Sequence, residues 1–112
     1  MITQAFLTAL SSELPSLAIK TDTDSTAHWG RDWTVHFSVD CTAVLFPKTT
    51  EEVATIVRLA NEHGTALVPS GGRTGLSAAA VAAHGEVVVS FDKMNQIGTF
   101  YEADRMVEVE AG

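Results

Sequence analysis

An internal disulfide is excluded at the outset, because the 112 residues contain a single cysteine, Cys41. One thiol in a chain of this size fits a reducing compartment, and Cys41 reads as a small, half-buried apolar residue and not as a nucleophile. Basic residues are also scarce. Seven Lys and Arg stand against 14 Asp and Glu, a formal charge of −7, which repels nucleic acid and anionic membrane surfaces. No apolar run approaches the ~20 residues of a membrane span, and no charged segment precedes an apolar core at the N-terminus. No transmembrane segment is expected, and a cytoplasmic protein follows. The histidines, His28, His36, His63 and His84, are dispersed without H-x-x-x-H or Cys/His spacing, which leaves a metal site unsupported. Asp22, Asp24 and Asp32 lack the spacing of a calcium loop, and Ser70, Ser77 and Ser90 lack a G-x-S-x-G elbow.

What is present is a globular composition, 46% hydrophobic, enough for one domain that buries roughly two thirds of its unfolded surface. Phe6, Leu7, Leu10 and Leu14 lie at helical spacing between a capping Thr3 and Pro15, which predicts a helix over 3–14. Leu17-Ala18-Ile19 reads as a brief strand. The polar stretch 21–40 is expected to be irregular but packed, since it carries Trp29, Trp33 and Phe37. Ala43 to Phe46 forms an apolar strand closed by Pro47. Thr49 and Glu52 then make a capping box, and Val53, Ile56, Val57 and Ala60 follow at i, i+3, i+4, i+7, which predicts a helix over 50–63. Gly64 stands where a helix-ending glycine belongs, and Ala66-Leu67-Val68 restarts a strand. The result is a β-α-β unit whose strands are expected to pair in parallel. Further on, 86–91 reads as a strand, 92–97 as one helical turn, and 98–101 with 106–110 as a hairpin.

The most informative stretch enters from that second strand: Pro69, Ser70, Gly71, Gly72, Arg73, Thr74, Gly75, Leu76, Ser77. Three glycines within five positions relax the limits on φ and let a ligand approach a row of main-chain N–H donors, which suits a phosphate or pyrophosphate. A tight chain reversal is an equally good reading of the loop alone. A P-loop is ruled out because no lysine precedes Ser77, and the Rossmann spacing G-x-G-x-x-G is absent.

Taken in order, the segments 46–53, 57–64, 68–77, 90–97 and 109–112 resemble the FAD-binding domain of FAD-linked oxidases of the vanillyl-alcohol oxidase/p-cresol methylhydroxylase (PCMH) type. Within that group the similarity is strongest to D-2-hydroxy-acid dehydrogenases, including those acting on glycolate, D-lactate and D-2-hydroxyglutarate. The resemblance implies an α+β fold, the N-terminal half of a PCMH-type FAD-binding domain: a small sheet with a parallel β-α-β unit and a β-hairpin. It places a helix and lead-in over 1–28 and the domain itself over 29–112, truncated at the C-terminus.

On the same resemblance, residues Pro69 to Ala78 wrap the FAD pyrophosphate, and Pro47 and Pro69 shape walls beside it. Arg73 stands where covalently flavinylated relatives carry a histidine, so FAD is expected to be held noncovalently. Ala78 and Ala79 replace two glycines common in the family, which is expected to weaken FAD binding. The implied activity is oxidation of a D-2-hydroxy acid, with no catalytic residue in this chain and weak or absent FAD binding by the chain alone. Expected partners are FAD, the remainder of such an oxidase, and a second copy of the chain. A noncatalytic module that self-associates or pairs with a separate second half is the alternative.

Overall fold

The computed structural model describes residues 2–112. Helix α1, Ile2–Glu13, is followed by strand β1, Ala18–Lys20, helix α2, Thr23–Trp29, strand β2, Cys41–Phe46, and helix α3, Thr50–His63. Strands β3, Leu67–Ser70, and β4, Glu86–Ser90, come next, and β5, Ile97–Tyr101, and β6, Met106–Val109, end the series. The first four strands form one sheet in the order β1-β2-β4-β3, and β5 and β6 form a separate hairpin. This is the expected α+β architecture.

Local chemistry accounts for most element ends. At α3 the Thr49 hydroxyl accepts from Glu52 N at 3.1 Å, and Gly64 closes the helix in the left-handed region at φ 63°. The Glu52 carboxylate reaches back to Lys48 N at 2.6 Å, one residue upstream of the helix cap. Asp22 caps α2 by accepting from Ser25 N at 2.9 Å. That helix lies inside the stretch expected to be irregular.

Alternation along the central strands divides the core into two layers. Ala43 and Leu45 of β2 with Val87 and Val89 of β4 face α1 and α3, where they meet Phe6, Leu10, Ile56, Leu59 and Ala60. Val44, Phe46, Val68 and Val88 form the opposite layer, against which Trp29 of α2 packs. Thus α1 and β1 belong to the same packed body as the β-α-β unit. Arg58 ties α3 to α1 by pairing with both Glu13 and Glu62, an exposed arrangement that adds little to stability.

Two expectations are corrected. Strands β2 and β3 run parallel but are not neighbours, because β4 is inserted between them and pairs in parallel with each. The Glu86–Ser90 segment has three consecutive valines, and a strand apolar on both sides belongs in the middle of such a sheet. The expected helical turn over 92–97 is a single tight turn, closed by Met94 N donating to Phe91 O at 2.8 Å.

Candidate functional site

The parallel strands β2, β3 and β4 all end at one edge of the sheet, with Phe46, Ser70 and Ser90. Ligands of open α/β sheets bind beyond the carboxyl ends of such strands, and the glycine-rich loop leaves β3 there. Pro69 is exposed, Ser70 is fully buried, and Thr74 to Ser77 project into solvent, with Gly71, Arg73 and Ala78 half-buried. Pro47, expected as a wall beside a ligand, is fully buried.

The loop's main-chain donors are free. Among the described residues, the N–H groups of Gly71, Gly72, Arg73, Thr74, Gly75, Leu76 and Ser77 donate to no main-chain or side-chain acceptor. Seven consecutive main-chain donors at a strand's end are thus left available to solvent or a ligand. The glycines leave it open. A Cβ on Gly72 would meet only Thr74 Oγ1, 4.0 Å away, and one on Gly75 only Asp32 Oδ2, at 3.8 Å. Gly71 is more confined, with Ala111 O 3.3 Å from the same position.

Backbone strain falls elsewhere than expected. The loop's left-handed residues are Arg73, at φ 57°, and Ala78, at φ 62°, whereas none of its three glycines has a positive φ. The glycines therefore serve by lacking a side chain, not by their dihedral freedom. Ala78→Gly is expected to stabilise the chain by up to about 1.5 kcal/mol, the left-handed penalty of about 1–2 kcal/mol less the extra entropy of an unfolded glycine, about 0.4–1 kcal/mol. Ala79 has no positive φ, so Ala79→Gly carries only the entropic loss. Parallel urea titrations of the two variants check the sign at each position.

A polar network holds the loop from below. The Arg73 guanidinium turns back to donate through Nη1 to Gly71 O and to Asp92 Oδ1, both at 3.1 Å. It also lies 5.9 Å from the centroid of the Trp29 ring. The Trp29 indole N–H donates to the other Asp92 oxygen at 2.9 Å, and Asp92 N donates to Ser90 Oγ at 3.2 Å. Burial tends to raise the Asp92 pKa. The hydrogen bonds from Trp29 and Arg73 and the guanidinium charge outweigh burial and hold it below 3.8. The stability it contributes is therefore fully present above pH 3.8 and is lost as pH falls below that value.

A second contact braces the loop's far side. Asp32 Oδ1 accepts from Thr34 Oγ1 at 2.6 Å and from Thr34 N at 2.7 Å, and Trp33 N donates to Gly75 O at 3.3 Å. Gly30, at the end of α2, lets the segment leading into β2 pack close, because a Cβ there would lie 2.5 Å from Thr26 O and 2.6 Å from a Val39 methyl. Two buried side-chain oxygens at the loop's margins, Ser70 Oγ and Asp32 Oδ2, have no protein partner. Beside the loop an open groove of about 550 Å³ is lined by Arg31, Trp33, Phe37 and Arg73 among others. Trp33 and Phe37, expected to be packed, are 69% and 55% exposed.

The sequence reading found the loop and missed its support. Trp29 was assigned to packing alone, and Asp92 to a helical turn. Nothing in their spacing, 63 residues apart, announces the hydrogen bond between them. Cys41 is half-buried and its thiol is pushed up by burial, as an inert residue should be.

Fold and loop together define a class: an α+β segment with an open glycine-rich loop at the carboxyl edge of parallel strands. Residues 41–112 match the family described as FAD binding domain, and the chain belongs to that family. The D-2-hydroxyglutarate dehydrogenase of Stutzerimonas stutzeri (strain A1501) is 57% identical over 108 residues, covering 93% of this chain and 23% of that protein. The enzyme of the same name from Xanthomonas citri pv. viticola is 42% identical over 111 residues, covering 99% and 24%. Among solved structures, p-cresol methylhydroxylase with substrate bound superposes with a TM-score of 0.73 at 22% identity, over 99% of this chain and 22% of that one. The chain thus spans about a quarter of the length of the curated relatives it matches. Among the described residues no helix is long and apolar enough to cross a membrane.

Proposed function

We propose that this chain supplies the pyrophosphate-binding part of an FAD-dependent oxidoreductase that oxidises a D-2-hydroxy acid of the lactate, glycolate or 2-hydroxyglutarate kind. The observation that carries the reading is the run of seven unpaired N–H groups from Gly71 to Ser77 over open space at Gly72 and Gly75. Two phosphates linked by one oxygen need several convergent donors and a backbone without side chains in the way. The loop fits that need. Residues Ser70 to Ala78 would hold the diphosphate, and the flavin, when bound, supplies a hydride acceptor. The hydroxy-acid part of the reading is supported by the names of the relatives. The same reading includes a cytoplasmic location.

Attachment of FAD is proposed to be noncovalent, because the loop side chain at the flavinylation position is Arg73, which offers no nucleophile at neutral pH. Binding by this chain is expected at micromolar affinity or weaker, on the usual scale. Loading the chain with FAD and precipitating it with acid should leave all the flavin in the supernatant. Flavin that stays with the protein would contradict noncovalent attachment, and a stoichiometric complex that survives gel filtration would contradict weak binding.

The hairpin favours a second reading, an interaction module. Ile97, Phe100, Tyr101, Met106, Val107 and Val109 are 45–78% exposed, an apolar surface on both faces of a two-stranded ribbon with free edges. This reading predicts a dimer or larger species of the isolated chain at tens of micromolar in sedimentation. A monomer would remove its support.

A further inference from the structure

We infer that Asp92 is a positioning residue for the glycine-rich loop: acting through Arg73, it fixes the loop's left-handed kink and keeps the guanidinium turned back onto Gly71 O. The inference rests on the pyrophosphate reading for its ligand and on geometry for its mechanism.

A non-glycine residue at φ 57° is strained and persists only where its surroundings impose it. At Arg73 the surroundings are specific. Its side chain is 20% exposed, and its guanidinium is bound at once to Gly71 O, two residues back in the same loop, and to Asp92, on the turn that leaves β4. The bond to Gly71 O closes a short ring across the first glycines. The bond to Asp92 anchors that ring to the sheet. The Asp92 main-chain N–H donates to Ser90 Oγ, and its carboxylate accepts from the Trp29 indole as well as from Arg73, so α2 and the loop meet on one carboxylate at the end of β4.

The arrangement decides what Arg73 does. A guanidinium facing solvent beside seven N–H donors would itself be a phosphate ligand. Turned back onto Gly71 O with its charge matched by Asp92, it acts as a peg, and the diphosphate of a dinucleotide meets main-chain donors already in place. Affinity then comes from pre-organisation, since the loop's ordering entropy is spent before the ligand arrives. The two roles give opposite signs. If Asp92 positions the loop, removing its charge weakens diphosphate binding. If Asp92 merely sequesters a phosphate-binding arginine, removing its charge releases Arg73 and tightens binding.

The test uses this chain, with ADP as the diphosphate probe, in calorimetric titrations of the parent, Asp92→Asn, Arg73→Ala and the double variant. Asp92→Asn is expected to weaken ADP binding about tenfold, the loss of one charge-assisted hydrogen bond, and to have no further effect in the Arg73→Ala background. The Arg73 guanidinium resonances, distinct in the parent, should collapse to the position of free arginine in Asp92→Asn. Trp29→Phe keeps the ring packing and removes only the indole donor, so a smaller loss of the same sign is expected even if Asp92→Asn folds poorly. Tighter binding by Asp92→Asn, or additive effects in the double variant, would overturn the inference. If the parent shows no ADP binding up to millimolar concentration, positioning is judged by backbone NMR order parameters at Arg73, Thr74 and Gly75. Lower order parameters in Asp92→Asn support it, and unchanged ones overturn it.

Discussion

Gly72→Val combined with Gly75→Ala is expected to abolish saturable FAD binding by this chain up to millimolar concentration while leaving its melting temperature nearly unchanged. The two halves of the result have separate causes. Neither glycine has a positive φ, and the nearest atoms to an added Cβ are 4.0 and 3.8 Å away, so the backbone takes a Cβ at both positions without a clash. The space they fill is the space over the N–H row. A diphosphate held off that surface loses several charge-assisted hydrogen bonds at about 1.5–3 kcal/mol each, which makes a hundredfold or greater loss of affinity. Binding that survives the double substitution would place the ligand elsewhere.

Phe6→Ala is expected to lower the stability of the chain by about 3–5 kcal/mol, the usual range for truncating a fully buried aromatic residue. Phe6 is 0% exposed and lies in the layer that joins α1 to Leu45, Ile56 and Val87. Its ring also sits 6.4 Å from that of His63 in the last turn of α3. Against a typical total of about 5–15 kcal/mol this is a large fraction, and urea titration with an unchanged m-value would measure it. The same number bears on the proposed division of the chain into a lead-in over 1–28 and a domain over 29–112. A loss below about 1 kcal/mol would mean that α1 is a loosely held appendage.

The parts of the fold legible in the sequence are those set by local rules. The capping hydroxyl of Thr49, the apolar stripe through Ile56 and the closing Gly64 fix α3 within one residue of its expected limits. The hairpin was legible from its alternating arms. What local rules do not fix is which strand neighbours which: the insertion of β4 between β2 and β3 depends on the long-range burial of Val87, Val88 and Val89. Helix α2 was hidden because Asp22 and Asp24 read as loop residues, although Asp22 followed three residues later by Ser25 is a helix cap. At the site, the glycines announced an open loop. Its support was not legible, because Trp29, Arg73 and Asp92 come from three separate segments and converge only in the folded chain. The dihedral reading of the glycines failed for a related reason: Arg73 takes the strained φ because its side chain has a distant partner that compensates it.

The central claim is that the main-chain donors of the glycine-rich loop receive the diphosphate of FAD. It is tested most directly by titrating FAD into the isotopically labelled chain and following every backbone amide by NMR. The account predicts that the largest shifts fall on the N–H groups of Gly71 to Ser77, that ADP reproduces them, and that adenosine does not. Shifts centred instead on the exposed hairpin, or no response at Gly72 and Gly75 at saturating FAD, would contradict it.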